Sequence, residues 1–239
     1  MKRKLFFPLL AAAMALTLAG CSNSTDPVNS GTITLSSKYD TRVLGKDAFL
    51  AGIDSIKITK ATYLLREIKF KTQNDSTEGI YKTTPLILEL NLNGAVQTIQ
   101  GLTVPFGTYN RLEFDIHKAE AADTTAMTAD QKAKARRFFD GVNRYSIIIE
   151  GKTYTGGVAA DFVYKSSLNV KQKIDLQTPI AVAENNPDFS VTMKISSYGW
   201  FLSGNNFLDP ATANKSAIDN NIRASIRAFK DNNKDGSAD

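Results

Sequence analysis

Cysteine and histidine are almost absent from this sequence, whose 239 residues include one of each, Cys21 and His117. One cysteine cannot form an intramolecular disulfide, so the sequence excludes a disulfide framework. A structural zinc site, a histidine-based catalytic triad and a two-histidine iron site each require more histidine or cysteine than this chain has. His117 lies in an alternating strand pattern, where we expect it to face solvent or a neighbouring side chain rather than to act in catalysis.

Other chemical signals are also sparse. Gly156-Gly157 is not followed by the Lys-Ser/Thr pair of a phosphate-binding loop. Paired carboxylates for glycoside hydrolysis remain an alternative, but no pair stands out among the 24 acidic residues. The net charge of +5 comes largely from Lys2, Arg3 and Lys4, so it predicts no basic surface for nucleic acid. These features favour a protein that is neither an enzyme nor a nucleic-acid-binding protein.

The first 20 residues have the plan of a secretory signal peptide. A basic start precedes an apolar run over residues 5–18, which is shorter than the roughly 20 residues that span a bilayer. Leu18-Ala19-Gly20-Cys21 resembles a bacterial lipobox, and the resemblance implies cleavage before Cys21 and lipidation of that cysteine. An ordinary signal peptide with an accidental cysteine is the alternative. We expect residues 1–20 to be removed and Cys21 to anchor the protein to a membrane.

Residues 21–30 follow as the lipidated cysteine and a short, flexible polar tether. Ser22 stands where an aspartate, by the enterobacterial sorting rule, favours retention at the inner membrane. The sequence therefore predicts a lipid anchor in the bacterial outer membrane, with the protein facing the periplasm or the cell surface.

Alternating apolar and polar residues predict many short strands after the tether. The clearest case is the segment RLEFDIHK, in which Leu112, Phe114 and Ile116 share one face. A tight type I turn over residues 104–109 is predicted to precede it. Many short strands with few helices indicate that residues 31–239 form a single, mainly β domain, an antiparallel β-sandwich.

Residues 55–71 are rich in β-forming residues, but the parity of their apolar positions changes twice. A strand of period two cannot change parity without moving its apolar side chains to the wrong face. The pattern therefore predicts one bulge or break near Lys60 and another near Arg66-Glu67. A helix over residues 60–68 is the alternative.

Two segments depart from the β pattern. Thr128-Ala-Asp-Gln131 fits a capping box and predicts a short inserted helix that ends before Gly141. Ser216-Ala-Ile-Asp219 fits a second capping box, and an apolar stripe at helical spacing follows it. The stripe consists of Ile218, Ile222, Ile226 and Phe229. We expect a C-terminal helix over about residues 216–230 that packs on the sandwich.

The C-terminal residues 231–239, DNNKDGSAD, match the first part of a calcium-binding loop. The predicted ligands at positions 1, 3, 5, 7 and 9 are Asp231, Asn233, Asp235, Ser237 and Asp239. Gly236 is the glycine of position 6, which allows the sharp turn. The sequence stops before a position-12 glutamate, so the predicted affinity for Ca²⁺ is weak, with a dissociation constant of about 10⁻⁴–10⁻³ M. A polar, disordered C-terminus is the alternative.

Tyr198 and Trp200 belong to the densest aromatic cluster, SYGWF. Exposed rings on a β-sandwich can stack on sugars, so both are candidate ligand-binding residues. The competing interpretation places Trp200 in the core beside an apolar strand.

Several segments together resemble a family of uncharacterised bacterial lipoproteins with a domain of unknown function. They are the lipobox-like segment, ITKATYLLREIKF (58–70), VPFGTYNRLEFDIHK (104–118), FSVTMKIS (189–196) with the Trp-Phe pair after it, and NIRASIRAFKDNNKDG (221–236). The resemblance implies a secreted β-sandwich and supplies no catalytic residue. We therefore expect a lipid-anchored cell-envelope module that binds or adheres to an unknown glycan or protein, with weak stabilisation by Ca²⁺. A structural subunit of a fimbrial or envelope assembly is the alternative, followed by a carboxylate-based hydrolase.

Overall fold

The computed structural model describes residues 29–40, 53–72 and 85–239. The predicted signal peptide, Cys21 and the tether up to residue 28 lie outside these ranges. The strands are β1 (Ser30–Asp40), β2 (Ser55–Thr72), β3 (Leu86–Glu89), β4 (Gln97–Pro105), β5 (Gly107–Ile116), β6 (Phe139–Asp140), β7 (Asn143–Arg144), β8 (Ile147–Thr155), β9 (Val158–Ser166), β10 (Val170–Val182), β11 (Asp188–Ser196), β12 (Leu202–Ser203), β13 (Asn206–Phe207) and β14 (Ile226–Lys230). The helices are α1 (Ala129–Ala135) and α2 (Lys215–Ala224), with 3₁₀ turns at Ala121–Thr124, Arg136–Phe138 and Ser197–Gly199.

Two sheets form the body of the molecule, as the predicted β-sandwich requires. The smaller sheet has the strand order β14-β11-β1-β4. In the larger sheet the pairing runs β10-β5-β2-β8-β9, with β3 also paired to β2. β8 pairs with the first part of β2 and β5 with its last part. Strand pairing is antiparallel throughout these sheets except between β1 and β11, which are parallel.

The inner faces of both sheets contribute to one hydrophobic core. The smaller sheet supplies residues such as Ile33, Leu35 and Val191, and the larger sheet supplies Phe70, Leu112 and Phe114. Ile218 and Ile222 of α2 pack against the same core, so the C-terminal helix docks on the sandwich as expected. Among the described residues, no helix is long and apolar enough to cross a membrane.

The long strand β2 contains both predicted bulges. Its pairing register shifts between Ile58 and Lys60 against β8, and between Arg66 and Lys69 against β5. Glu67 lies inside the second irregularity and has a φ of 52°. The whole segment is a strand, so the helix considered for residues 60–68 is wrong. The bulges keep the apolar residues on the core side although their parity changes along the chain.

Strands β5 and β8 meet beside Leu64 of β2. The Leu64 N–H donates to the Ser146 carbonyl at 2.8 Å, and the Leu64 carbonyl accepts from the His117 N–H at 3.1 Å. The N–H and C=O of one strand residue point to the same side, so both neighbours lie along one edge of β2. The chain between them, residues 117–146, therefore leaves the sheet at this point.

Residues 117–146 fold back over the outer face of the larger sheet. They carry α1, two 3₁₀ turns and the β6–β7 hairpin. A second, smaller core joins them to the sheet and consists of Leu64, Ile87, Ala119, Met127, Ala135, Phe138 and Ile148. The predicted inserted helix is present, and Thr128 Oγ accepts from the Gln131 N–H at 3.3 Å, as the predicted N-cap requires.

The predicted helix over residues 216–230 is correct only in its first part. Helix α2 ends at Ala224, and residues 226–230 form β14, which pairs with β11. Its N-cap is Asn214, whose side chain accepts from the Ser216 N–H, so the capping box predicted at Ser216 is wrong. Ile226 and Ala228 are buried while Arg227 is exposed, which is the alternation of a strand. The sequence pattern did not reveal it because Ile226 also fits the apolar stripe at helical spacing. The hydrogen-bonding edge of β11 decides the conformation here.

The predicted tight turn at residues 104–109 is a bend at Phe106. β4 belongs to the smaller sheet and β5 to the larger one, so this bend carries the chain from one sheet to the other. The Tyr109 hydroxyl donates to the Pro105 carbonyl at 2.7 Å and holds the corner.

Candidate functional site

The predicted calcium loop is folded and begins directly after β14. Asp231 is 0% exposed, and its carboxylate accepts three hydrogen bonds. The Thr192 hydroxyl donates to Oδ2 at 2.6 Å, the Gly236 N–H donates to Oδ2 at 3.0 Å, and the Asp235 N–H donates to Oδ1 at 3.1 Å. Asp231 therefore ties the loop to β11 and fixes its sharp turn. The disordered C-terminus considered as the alternative does not describe this segment.

Further contacts within the loop involve the other predicted ligands. Asn233 Oδ1 accepts from the Asp235 N–H at 3.0 Å, and Asp235 Oδ1 accepts from the Ser237 N–H at 2.7 Å. Asp239 Oδ2 accepts from the Asn232 N–H at 2.7 Å, which brings the end of the loop back to its start. These hydrogen bonds place all five predicted ligand residues in one folded loop.

The backbone of this turn favours glycine at position 236, and the space beside that glycine is filled by Lys38. The Gly236 φ of +79° lies in the left-handed region that favours glycine. A Cβ at this position would lie 2.1 Å from Cδ of Lys38, which reaches the loop from β1. The Lys38 ammonium donates to the carbonyls of Asp235 and Gly236 at 2.9 and 3.3 Å. The loop is therefore fastened to β1 as well as to β11.

Trp200 is core, so its candidacy as a ligand-binding residue is wrong. Its side chain is 0% exposed, and its Nε1–H donates to the Ser225 hydroxyl at 2.8 Å. Its ring packs edge-on against Tyr63 with the ring centroids 6.3 Å apart. Tyr198 is 49% exposed, so only one ring of the predicted pair faces solvent.

A cluster that the sequence did not predict surrounds His117, which is 6% exposed. Its Nε2 lies 3.4 Å from Asp123 Oδ2 and 3.8 Å from Glu120 Oε2. Among the described residues, these three side chains form the one group of histidine, cysteine and acidic residues whose ligand atoms all lie within 4.8 Å. The carboxylates of the 231–239 loop do not converge to that distance. The only sequence signal for this cluster is the i, i+3, i+6 spacing in HKAEAAD.

Local backbone structure holds the His117 cluster in place. Glu120 is the N-cap of the 3₁₀ turn at Ala121–Thr124, and Asp123 completes a capping box with it. Asp123 Oδ2 accepts from the Glu120 N–H at 2.7 Å. Asp123 is 4% exposed, whereas Glu120 reaches solvent.

Arg66 enters the same cluster from β2. Its Nη1 lies 2.9 Å from His117 Nε2, 3.6 Å from Glu120 Oε2 and 3.9 Å from Asp123 Oδ1. A guanidinium is always a donor, so His117 Nε2 is the acceptor in this contact. We expected His117 to face either solvent or a neighbouring side chain. In the structure it is buried and faces three charged side chains, those of Arg66, Glu120 and Asp123.

A cleft of about 310 Å³ opens between β3 and β4, one strand from each sheet. Its polar lining includes Gln97, Gln100 and Gln131, together with Thr98 and Thr128. Leu86, Leu88, Ile99 and Met127 supply apolar lining. Gln97 Oε1 is buried and has no hydrogen-bond partner. A cleft of neutral amides and hydroxyls suits a ligand that donates and accepts hydrogen bonds without carrying charge.

No protein-family model, no curated protein and no solved structure matches this chain. The predicted lipidation site Cys21 lies outside the described residues. The loop, the cleft and the His117 cluster are therefore the features from which function is inferred.

Proposed function

We propose that this protein is a lipid-anchored β-sandwich of the bacterial outer membrane that binds an extended polypeptide segment of a partner protein. The sequence that ends in Leu18-Ala19-Gly20-Cys21 supports the anchor. The cleft between β3 and β4 supports the binding role. The observation that carries the proposal is Gln97, which lines the cleft and whose buried Oε1 has no hydrogen-bond partner.

Gln97 Oε1 can accept a hydrogen bond but receives none from the described residues. A buried polar atom without a partner costs about 1–3 kcal/mol of stability. If the Gln97 amide turns towards the cleft, the N–H of a bound peptide would satisfy its Oε1 and offset that cost. An extended peptide carries N–H and C=O groups at regular intervals, so it can pair with several lining residues at once.

Gln131 shows how an amide fits the edge of β3. Its Oε1 accepts from the Ile87 N–H at 2.7 Å, and its Nε2 donates to the Ile87 carbonyl at 3.5 Å. The side-chain amide thus stands where the peptide group of a neighbouring strand would lie. In the described part of the chain, no strand pairs with the outer edge of β4. A peptide in the cleft would extend this type of pairing along an open edge.

The lining favours a polypeptide over a glycan. The residues that line the cleft include no aromatic ring on which a sugar could stack. Trp200, the predicted sugar-stacking residue, is buried elsewhere. Backbone-like amide pairing is therefore the better-supported mode of recognition.

The test is a binding screen with the detergent-solubilised mature protein, using a panel of unrelated decapeptides and a panel of neutral oligosaccharides. We expect selected peptides to bind and Gln97→Met to abolish their binding. Gln172→Met is the matched control, because Gln172 on β10 also has a buried amide atom without a partner but lies outside the cleft. Binding that survives Gln97→Met, or binding of oligosaccharides alone, would contradict the proposal.

Within this proposal, the 231–239 loop binds Ca²⁺ weakly and stabilises the edge of the smaller sheet. The contacts Asp231–Gly236, Asn233–Asp235 and Asp235–Ser237 support it, because they already give the loop the turn that a calcium ion requires. Ca²⁺ would draw the oxygen ligands together and tighten the links to β11 and β1.

The calcium role is tested by titrating Ca²⁺ into the mature protein while recording its melting temperature. We expect a rise at millimolar Ca²⁺, lost in Asp235→Asn, whose side chain is exposed and whose replacement keeps the shape. Asp161→Asn on β9 serves as the control, because Asp161 is also exposed and lies outside the loop. No shift in the wild-type protein would refute calcium binding without affecting the peptide proposal.

A second candidate, a subunit of an envelope assembly, is favoured by the edge strand β9. Val158 and Val163 are 72% and 55% exposed on this strand. Apolar side chains on an edge invite strand pairing between copies. Formation of concentration-dependent polymers by the wild-type protein, abolished by Val163→Lys, would favour this role.

A further inference from the structure

We infer that His117, Glu120 and Asp123 form a binding site for a first-row divalent metal ion such as Zn²⁺ or Co²⁺, which Arg66 closes when no metal is bound. A tetrahedral ion with bonds of about 2.1 Å holds its ligand atoms about 3.4 Å apart. Nε2 of His117 lies 3.4 Å from Asp123 Oδ2 and 3.8 Å from Glu120 Oε2. The ligand atoms of all three side chains lie within 4.8 Å of one another. Side-chain shifts of up to about 1 Å would therefore produce a three-ligand site with water in the fourth position.

The centre of this cluster already holds a cation. Arg66 Nη1 is the atom that approaches all three ligand side chains, at 2.9, 3.6 and 3.9 Å. The lone pair of His117 Nε2 points to it, since a guanidinium can only donate. The cluster thus presents one imidazole nitrogen and two carboxylates to a single positive group, and a metal ion would take the same place.

Two of the three ligands are positioned before any ion binds. The His117 N–H donates a hydrogen bond to the Leu64 carbonyl, and the His117 side chain is almost fully buried. Asp123 is fixed by its bond from the Glu120 N–H. An oxygen of a carboxylate has two lone pairs, so Asp123 Oδ2 keeps one for a metal. Ligands held in this way lose little freedom on binding.

Arg66 has both a route out of the cluster and a second partner. Its side chain is 35% exposed, so it can turn towards solvent. Asp115 of β5 lies directly opposite Arg66 in the strand register. Oδ1 of Asp115 is buried and has no hydrogen-bond partner. A guanidinium displaced by a metal ion would therefore pair with Asp115 instead of remaining beside the ion.

The donor set selects the class of ion. One imidazole nitrogen with two carboxylates suits borderline ions such as Zn²⁺, Co²⁺ and Mn²⁺, whereas Ca²⁺ prefers oxygen ligands alone. This site lies on the larger sheet and shares no residue with the 231–239 loop. It is therefore independent of the proposed function and can be tested with Ca²⁺ held at saturation.

The experiment is a Co²⁺ titration of the mature protein, followed by visible absorption, with Zn²⁺ added in competition. We expect one Co²⁺ per chain with the ligand-field bands of a low-coordinate site. His117→Gln and Glu120→Gln should each weaken binding by about tenfold or more. Arg66→Met should tighten binding, because the competing cation is gone, and Asp115→Asn should weaken it. Glu120 is exposed, so Glu120→Gln keeps the test valid even if His117→Gln fails to fold.

An ordinary ion-pair network would give different results. In that case Arg66→Met would only lower stability, and no variant would show Co²⁺ bands. Absence of binding by both the wild-type protein and Arg66→Met at millimolar Co²⁺ overturns the inference. Binding that persists unchanged in Glu120→Gln also overturns it, because the ion would then lie elsewhere.

Discussion

The 231–239 loop and the His117 cluster each bury one carboxylate, but different groups surround it. In the loop, the buried carboxylate of Asp231 is satisfied by two backbone N–H groups and a hydroxyl. In the cluster, the buried carboxylate of Asp123 lies beside a guanidinium from another strand as well as a backbone N–H. A cation lies at each place: the Lys38 ammonium donates to backbone carbonyls of the loop, whereas the Arg66 guanidinium lies beside the carboxylates of the cluster. A cation added to the loop would therefore bind beside Lys38, whereas a cation added to the cluster must displace Arg66.

The largest effect should come from Asp231→Ala in the loop. Removing this carboxylate leaves the Thr192 hydroxyl and the N–H groups of Asp235 and Gly236 without their partner. We expect a loss of about 3 kcal/mol or more in the free energy of unfolding, measured by urea denaturation. Asp235→Ala, on the exposed side of the same loop, should cost about 1 kcal/mol. Equal effects of the two changes would show that Asp231 is not the anchor of the loop.

Gly236→Ala should follow, with a loss of about 2 kcal/mol because an alanine resists the left-handed backbone. Its Cβ would also displace the Lys38 side chain from the loop carbonyls. The same urea titration measures the loss, and Gly204→Ala is the control, since Gly204 has a positive φ but open space around it. If both glycine variants lose the same stability, the contact with Lys38 contributes nothing.

Arg66→Met tests the role of the guanidinium in the His117 cluster. Without metal we expect a loss of about 1 kcal/mol, because Asp123 and His117 lose a charged neighbour. Zn²⁺ should restore stability in Arg66→Met and stabilise it more than the wild-type protein. Thermal melts with and without Zn²⁺ measure both effects. A variant that loses stability and gains nothing from Zn²⁺ would make the cluster a purely structural ion-pair network.

Alkaline pH should act on tyrosines that belong to neither site. Burial raises the pKa of Tyr164, and the bond that its hydroxyl donates to Asp219 raises it further. Burial also raises the pKa of Tyr63 and of Tyr39. A raised folded-state pKa means that stability is complete below the unfolded tyrosine value of about 10 and falls as the pH rises above it.

Urea titrations between neutral and strongly alkaline pH check this expectation. Tyr164→Phe should cost about 1 kcal/mol at neutral pH and make the alkaline loss shallower. Asp235→Asn and Arg66→Met should leave the alkaline slope unchanged. A changed slope in either variant would link that site to the tyrosines of the core.

The loop was predictable because its geometry is local. The Asn233 side chain accepts a hydrogen bond from the backbone N–H of Asp235. The Asp235 side chain accepts one from the backbone N–H of Ser237, and in both cases the donor is two residues further along the chain. Such contacts depend on residue type and spacing, which the sequence displays. The bulges of β2 were predictable for a similar reason, because the parity of Ile58, Leu65 and Ile68 changes along one strand. The anchor of Asp231 to Thr192 was not, since β11 lies far away in the chain.

The His117 cluster was only partly predictable. The spacing of His117, Glu120 and Asp123 is visible in the sequence, but a spacing of three suits a turn as well as a site. Their convergence requires the chain to leave the sheet at Leu64 and to form a 3₁₀ turn there. Arg66 joins them only because the bulge and the register of β2 against β5 place it opposite Asp115.

By itself, the sequence determined the β-rich class, the strand alternation, the bulges of β2 and the turn of the C-terminal loop, because these depend on neighbours a few residues apart. The tertiary structure decided that residues 226–230 are a strand, that Trp200 is buried and that Arg66 fills the His117 cluster. Those outcomes depend on which strand edge, core surface or distant charge a residue meets. Partners of this kind are set by packing of the whole chain, so the spacing of residues along a short segment does not predict them.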